Sequence, residues 1–201
     1  MNAVNKLTRM CQQFYSQAEP CLEWWSFIRQ NKIDLKAVLP VCGTLAVALC
    51  RAVETADGQF IFDFDPNGVP CVVIEGQLIG KVDGVRDYVT KDLIAWPIGA
   101  PDHFATAMGP GAGVALLGPV AAFRLPSDKT PLKLFRNPES WLVNGCEGSV
   151  VLKPEAAKWL NASSVPMVCE DVDHAKTIRD LLGPRGRHKK ILIPNRVRQA
   201  A

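Results

Sequence analysis

No apolar run in this chain reaches the roughly 18 residues that would cross a bilayer. The longest, Ala37–Cys50, is interrupted by Pro40, Gly43 and Thr44, and it reads as a core helix in a chain that does not enter a membrane. Histidine is scarce, with only His103, His174 and His188, and no Gly-x-Ser-x-Gly elbow is present, which removes the nucleophile turn of the α/β-hydrolases. The seven cysteines, at 11, 21, 42, 50, 71, 146 and 169, include no Cys-x-x-Cys pair, and their number is odd. That argues against a disulfide framework or a zinc site and for reduced core thiols in a cytoplasmic protein. Lys6 and Arg9 lie near the start, but no apolar signal-peptide core follows them. Acidic residues are missing altogether from 183–201, where Arg185, Arg187, Lys189, Lys190, Arg196 and Arg198 stand. Setting these six aside from the net charge of +3 leaves −3 for residues 1–182, so a mildly acidic body carries a basic end. Such an end can bind phosphate backbones, or it can be no more than a solvated tail.

What is present is enough apolar material for a core: 48% hydrophobic against 21% charged residues over 201 positions. Asn2–Gln17 places Val4, Leu7, Met10, Cys11 and Phe14 at helical spacing. After Glu19-Pro20, Cys21–Asn31 continues as a second helix with Trp24-Trp25, a pair that reads as one core anchor and one partly exposed rim residue, the alternative being a stack for a base or a ligand. Asp34 can cap a third helix over Leu35–Val53. Gln59–Phe64 alternates, with Phe60, Phe62 and Phe64 on one face, so that Pro66-Asn67-Gly68 becomes the turn of a hairpin whose return strand is Val69–Glu75. Gly76–Gly80 reads as another turn, Asp92–Pro97 as a strand, His103–Met108 as a short helix and Pro126–Thr130 as a linker. The last third alternates strand and helix: Pro131–Arg136, Ser140–Asn144, Gly148–Lys153, Pro154–Asn161, Val165–Cys169, Val172–Leu182, Lys190–Ile193. This spacing predicts an α/β unit with largely parallel strands, and ligands of such sheets sit at strand C-termini. The expected fold is therefore α/β or α+β: an N-terminal helical segment (1–56), a central β-meander (57–125) and a βα-alternating unit with the basic C-terminus (126–201), packed as one domain.

Three motifs bear on chemistry. Asp63, Asp65, Asn67 and Gly68 match the first half of a calcium loop, but the twelfth position is Ile74 rather than Glu; the competing reading is a hairpin turn whose acids are solvated. Gly109-Pro-Gly-Ala-Gly113 lacks the Lys and Ser/Thr of a P-loop and the spacing of a dinucleotide fingerprint, and so reads as a tight structural loop. His174 follows Cys169 by five residues, which allows a Cys–His pair in principle; a buried thiol beside a surface histidine is the alternative.

The element Val165-Pro-Met-Val-Cys-Glu170-Asp171, followed by a helix from Asp173 to Leu182, resembles the opening of a Toprim domain, the metal-dependent fold of primases and topoisomerases, in which a Glu closes the first strand. The resemblance covers about 30 residues and implies a magnesium site completed by a downstream Asp-x-Asp. The sequence after Ile191–Ile193 is Pro194-Asn195-Arg196, without an acid. Glu170 and Asp171 can equally cap the helix, whose positive end favours acids. A longer stretch, from Asp92–Trp96 through Pro131–Leu142 to Gly148–Leu152, is similar to uncharacterised prophage and mobile-element proteins, a family with no activity to carry over to any residue. The leading expectation is a non-catalytic accessory or nucleic-acid-associated protein of a phage or mobile element, without a cofactor, contacting phosphates through its six C-terminal cations. The alternatives are a small Toprim-like enzyme that uses magnesium on nucleic acid through Glu170 and Asp171, with Asp63 and Asp65, and a structural or assembly protein that binds other proteins through some of its five Trp.

Overall fold

A computed structural model describes residues 3–17, 22–33, 47–65, 67–82, 85–118 and 130–194. Helix α1 (Ala3–Gln17) buries Met10 and Phe14, one turn apart, while α2 (Leu22–Gln30) buries Phe27 and Ile28. Trp24 stacks on Phe27 and is half-buried, whereas Trp25 is exposed, the anchor-and-rim division expected of the pair. Strands β1 (Val47–Glu54), β2 (Phe60–Phe62), β3 (Pro70–Val82), β4 (Val85–Pro97) and β5 (Ala105–Thr106) form an antiparallel sheet in the order β2-β1-β3-β4-β5.

Several local expectations change here. Val47–Val53 is strand, not the end of a helix; Asp34 and the rest of that expected helix fall outside the described residues. Residues Phe60–Phe62 and Val69–Glu75 are not hairpin partners, because β1 lies between β2 and β3 and pairs with both. Phe60 and Phe62 are buried, but Phe64 is 64% exposed beyond the end of β2. Gly76–Gly80 does not turn: it runs within β3, with a register shift at Gly76/Gln77. His103–Met108 forms no helix, since Ala105 and Thr106 pair with Ala95 and Ile94. The expected linker at Pro126–Thr130 lies, but for Thr130, outside the described residues.

A second sheet has the order β10-β9-β7-β8-β6, from β6 (Leu116–Leu117), β7 (Leu132–Phe135), β8 (Ser149–Val151), β9 (Met167–Cys169) and β10 (Ile191–Leu192). β10, β9, β7 and β8 are parallel, and β6 is antiparallel at the edge. The connections are α3 (Pro138–Val143), α4 (Ala156–Ala162) and α5 (Val172–Leu182), close to the alternation read from the sequence. Asn137 caps α3, its Oδ1 accepting from the Ser140 N–H at 2.8 Å, and Pro138 fits the first turn, where no N–H is needed. Gly183 ends α5 at φ 59°, a conformation glycine adopts without strain.

Three cores join these layers. Met10 and Phe14 of α1 pack with Phe60, Phe62, Val73 and Leu93 on the outer face of the antiparallel sheet. Its inner face contributes Leu49, Val72, Ile74, Ile94 and Trp96 to a core shared with α2, α3 and the near side of the second sheet through Trp141, Phe135 and Val150. Leu132, Leu134 and Met167 pack under α4 and α5 through Leu160 and Ile178. The protein is thus α+β, with N-terminal helices, a central antiparallel sheet and a mostly parallel C-terminal sheet.

Candidate functional site

The parallel strands, taken in chain order, lie as second-first-third-fourth. The chain moves from β7 to β8 on one side and then returns to place β9 on the other, so the topological switch falls between β7 and β9. In open α/β sheets the crevice beyond the strand C-termini at such a point is where ligands bind. Here the two strands deliver Arg136-Asn137 and Glu170-Asp171. The Arg136 N–H donates to Glu170 Oε2 at 2.8 Å, and the Arg136 guanidinium meets Asp171 Oδ1 at 2.5 Å. That same oxygen accepts from the His174 N–H at 2.9 Å and caps α5. The guanidinium and the cap hold the Asp171 carboxyl down at about 2. Asn137 Nδ2 reaches back to Asp102 Oδ1 at 2.6 Å.

A cavity of about 430 Å³ opens beside this seam, walled by Phe135, Leu152, Ile178 and Leu181, with Arg136 and His174 among its polar groups. His174 is buried, which corrects the surface position expected of it. Burial, aided by the Arg136 charge, lowers its pKa to about 4, so the imidazole is neutral, and its Nδ1 accepts from the Glu170 N–H at 3.4 Å. The approach of Glu170 Oε2 at 3.7 Å is therefore not an ion pair at neutral pH. Burial pushes the Cys169 thiol up to about 11, with Asp171 and Glu170 adding to the shift. A protonated thiol and an unprotonated, buried imidazole do not make an activated nucleophile–base pair.

Magnesium held in the Toprim manner does not fit these residues. Glu170 does close a parallel strand, but its Oε2 is taken by the Arg136 N–H, and a guanidinium already sits against Asp171. Asp63 and Asp65 belong to the β2–β3 connection of the other sheet, where each turns its carboxylate onto the chain: Asp63 Oδ1 accepts from the Asp65 N–H and Asp65 Oδ1 from the Asn67 N–H, both at 2.9 Å. Asn67 Nδ2 also donates to Asp65. This is the Asx-turn chemistry of a solvated loop, and among the described residues no cluster of His, Cys, Asp and Glu is arranged to hold a metal ion.

The cations lie elsewhere. Helix α5 starts at the switch point and runs back against the strands, so Arg185, Arg187, Lys189 and Lys190, which follow it, stand at the opposite end of the parallel sheet. Eleven residues of α5 separate the two ends by about 16 Å at 1.5 Å per residue. Pro184–Gly186 forms a 3-10 turn; Arg185, Arg187 and Lys190 are exposed, and among the described residues none of them is in an ion pair. Lys189 differs: its ammonium donates to the Ser163 carbonyl at the end of α4, which fixes the turn to the body. Arg196 and Arg198 fall outside the described residues.

Sequence reasoning missed a buried charged pair. Lys153 Nζ lies 3.0 Å from Asp92 Oδ2 and donates to the Ala112 carbonyl at 2.6 Å. Asp92 also accepts from the N–H groups of Met108 at 3.0 Å and Val114 at 3.2 Å. The pair ties β4 of one sheet to the end of β8 in the other and locks the Gly109–Gly113 loop between them. Gly109, Gly111 and Gly113 all have positive φ, and a Cβ at Gly113 would collide with the Asp92 carboxylate, so the loop is structural, as its sequence implied. Comparison with protein-family models, curated proteins and solved structures finds no match.

Proposed function

We propose that this chain is a non-catalytic, nucleic-acid-associated accessory protein of a phage or mobile element that binds phosphate backbones through the turn after α5, a role suggested by its basic C-terminus and incomplete Toprim-like strand end. The observation that carries the reading is the separation of the two ends of the parallel sheet. At the switch point, Glu170 and Asp171 are engaged in holding β7, β9 and α5 together. At the other end, Arg185, Arg187 and Lys190 are exposed, and Lys189 anchors their turn. Cations beside a helix C-terminus also compensate its dipole, but that need is met within one turn and does not require three exposed side chains.

Binding of this kind is driven by counterion release, with about −0.9 added to the log–log salt slope per neutralised phosphate. Anisotropy titrations with a labelled duplex between 50 and 200 mM salt should give a slope no steeper than about −5 for the six cations. Replacing Arg185, Arg187 and Lys190 together by Ala should flatten it by about 2–3 and weaken all sequences alike. Absence of detectable binding at 50 mM salt would dispose of the proposal.

A further inference from the structure

Helix α5 brings His174, Ile178 and Leu181, which recur at helical spacing, against the C-terminal ends of β7 and β8. With Phe135 and Leu152 they wall the cavity of about 430 Å³ beside the switch point, a volume in the range of small-molecule sites. The wall is mostly apolar, and its polar groups divide in two. Lys153 and Thr177 are committed elsewhere, the ammonium to Asp92 and the Ala112 carbonyl, the hydroxyl to the Asp173 carbonyl. Arg136, His174 and Asp102 keep spare capacity. The Arg136 guanidinium spends one nitrogen on Asp171 and keeps its other N–H donors. His174 is 5% exposed. Its Nδ1 accepts from the Glu170 N–H, so its hydrogen is on Nε2, and no described residue accepts it there. A buried donor without an acceptor is costly, and an acceptor brought by a ligand removes that cost. Asp102, on the connection between β4 and β5, is exposed at the mouth. Its Oδ1 accepts from Asn137 Nδ2, and among the described residues it is in no ion pair.

The geometry points to a site for a free α-amino acid with an apolar side chain: its carboxylate on Arg136 and the His174 Nε2–H, its ammonium on Asp102, and its side chain against Phe135, Leu152, Ile178 and Leu181. The charges decide the class. Asp171 already offsets part of the Arg136 charge, and Asp102 adds an acid at the mouth, so a plain anion drawn to the first group is repelled by the second. A plain cation meets the reverse. A zwitterion sets each charge on its opposite and leaves an apolar remainder for the walls, the pattern of few polar groups in an apolar pocket that fixes orientation in small-molecule sites. The site lies at the end of the sheet away from the basic turn, and the inference does not rest on the nucleic-acid reading; titrations with duplex bear on that reading alone.

The test is calorimetric titration of the full chain with L-leucine and L-phenylalanine, and with two truncated probes: 4-methylpentanoate, which is leucine without its ammonium, and 3-methylbutylamine, which is leucine without its carboxylate. At least one amino acid should bind saturably below about 10 mM, and L-leucine more tightly than either truncated probe. Asp102→Asn keeps the acceptor for Asn137 and removes only the charge. It should weaken L-leucine about threefold, the scale of a charge pair at an exposed rim, and leave 4-methylpentanoate no weaker than before. Arg136→Ala should weaken L-leucine and 4-methylpentanoate about tenfold, the scale of a lost hydrogen bond to a charged group, and leave 3-methylbutylamine unweakened, a contrast that general loss of structure does not produce. No saturable heat with either amino acid overturns the site. A truncated probe that binds as tightly as L-leucine, or an Asp102→Asn variant that loses both L-leucine and 4-methylpentanoate equally, overturns the assignment of an amino acid to it.

Discussion

At the scale of single residues, two buried ionisable groups respond to pH in different ways. Asp92 is fully buried, and desolvation raises its pKa despite the pull of Lys153 and of the Val114 and Met108 N–H groups. A carboxyl whose folded pKa lies above its unfolded value holds a proton that the unfolded chain releases, so its contribution to stability is greatest at low pH and is lost as pH rises. Lys153→Met removes the largest opposing pull. It should cost about 3–5 kcal/mol near neutral pH, the usual penalty for stripping one partner from a buried pair, and the deficit should shrink as pH falls; urea melts at pH 7 and pH 5 that show the same deficit would refute this. His174 has the depressed counterpart. Its folded pKa of about 4 lies below the ordinary 6.5, so its contribution is complete above pH 6.5 and falls away on acidification through 4, by about 3 kcal/mol in all. An NMR titration should place one imidazole near 4, and the His174→Leu variant should lack that signal. A midpoint near 6.5 for that ring would remove it from the interior.

At the scale of elements, the C-terminal alternation could be read almost residue by residue, because Asn137-Pro138, Asp171 and Gly183 mark helix ends with their own chemistry and each helix has one buried stripe. The central sheet was less legible for a physical reason. Its strands are buried on both faces: Leu49 points into one core while Ala48 and Cys50 point into the other, and Val72 and Val73 divide in the same way. A strand covered on both sides shows a continuous apolar run instead of alternation, so β1 resembled a helix and β2 resembled the natural partner of β3. The glycine loop allows a direct check. Gly111 and Gly113 share a positive φ, but only at Gly113 would a Cβ meet a neighbour, the Asp92 carboxylate. Gly111→Ala should therefore cost about 1 kcal/mol, the strain of the left-handed backbone, and Gly113→Ala appreciably more, since the collision is added to it. Equal losses in denaturant melts would show that the loop does not press against Asp92.

At the scale of the whole molecule, the shared core and the Asp92–Lys153 pair make the two sheets one body, while the switch point and the basic turn sit at its opposite ends. Neither relation could be read in one dimension: Asp92 and Lys153 are 61 positions apart, and Arg136 finds Asp171 only because strand order places β9 beside β7. Glu170 and Asp171 were visible as a strand-end pair, but their partner was not, and so their engagement with Arg136 was hidden. The arrangement predicts that the two ends can be changed independently. In the native chain, Asp171 adds stability above its ordinary pKa of 3.8, and this is lost as pH falls through about 2. Arg136→Ala removes the main cause of that shift, so the variant should lose less stability between pH 4 and 2 than the unsubstituted protein, while its affinity for duplex and its salt slope stay unchanged. The Arg185, Arg187 and Lys190 triple alanine variant should show the converse: an unaltered acid transition and a flattened salt slope. If Arg136→Ala weakened binding as much as the triple variant does, the two ends would belong to one nucleic-acid surface, and the switch point would return as part of the site.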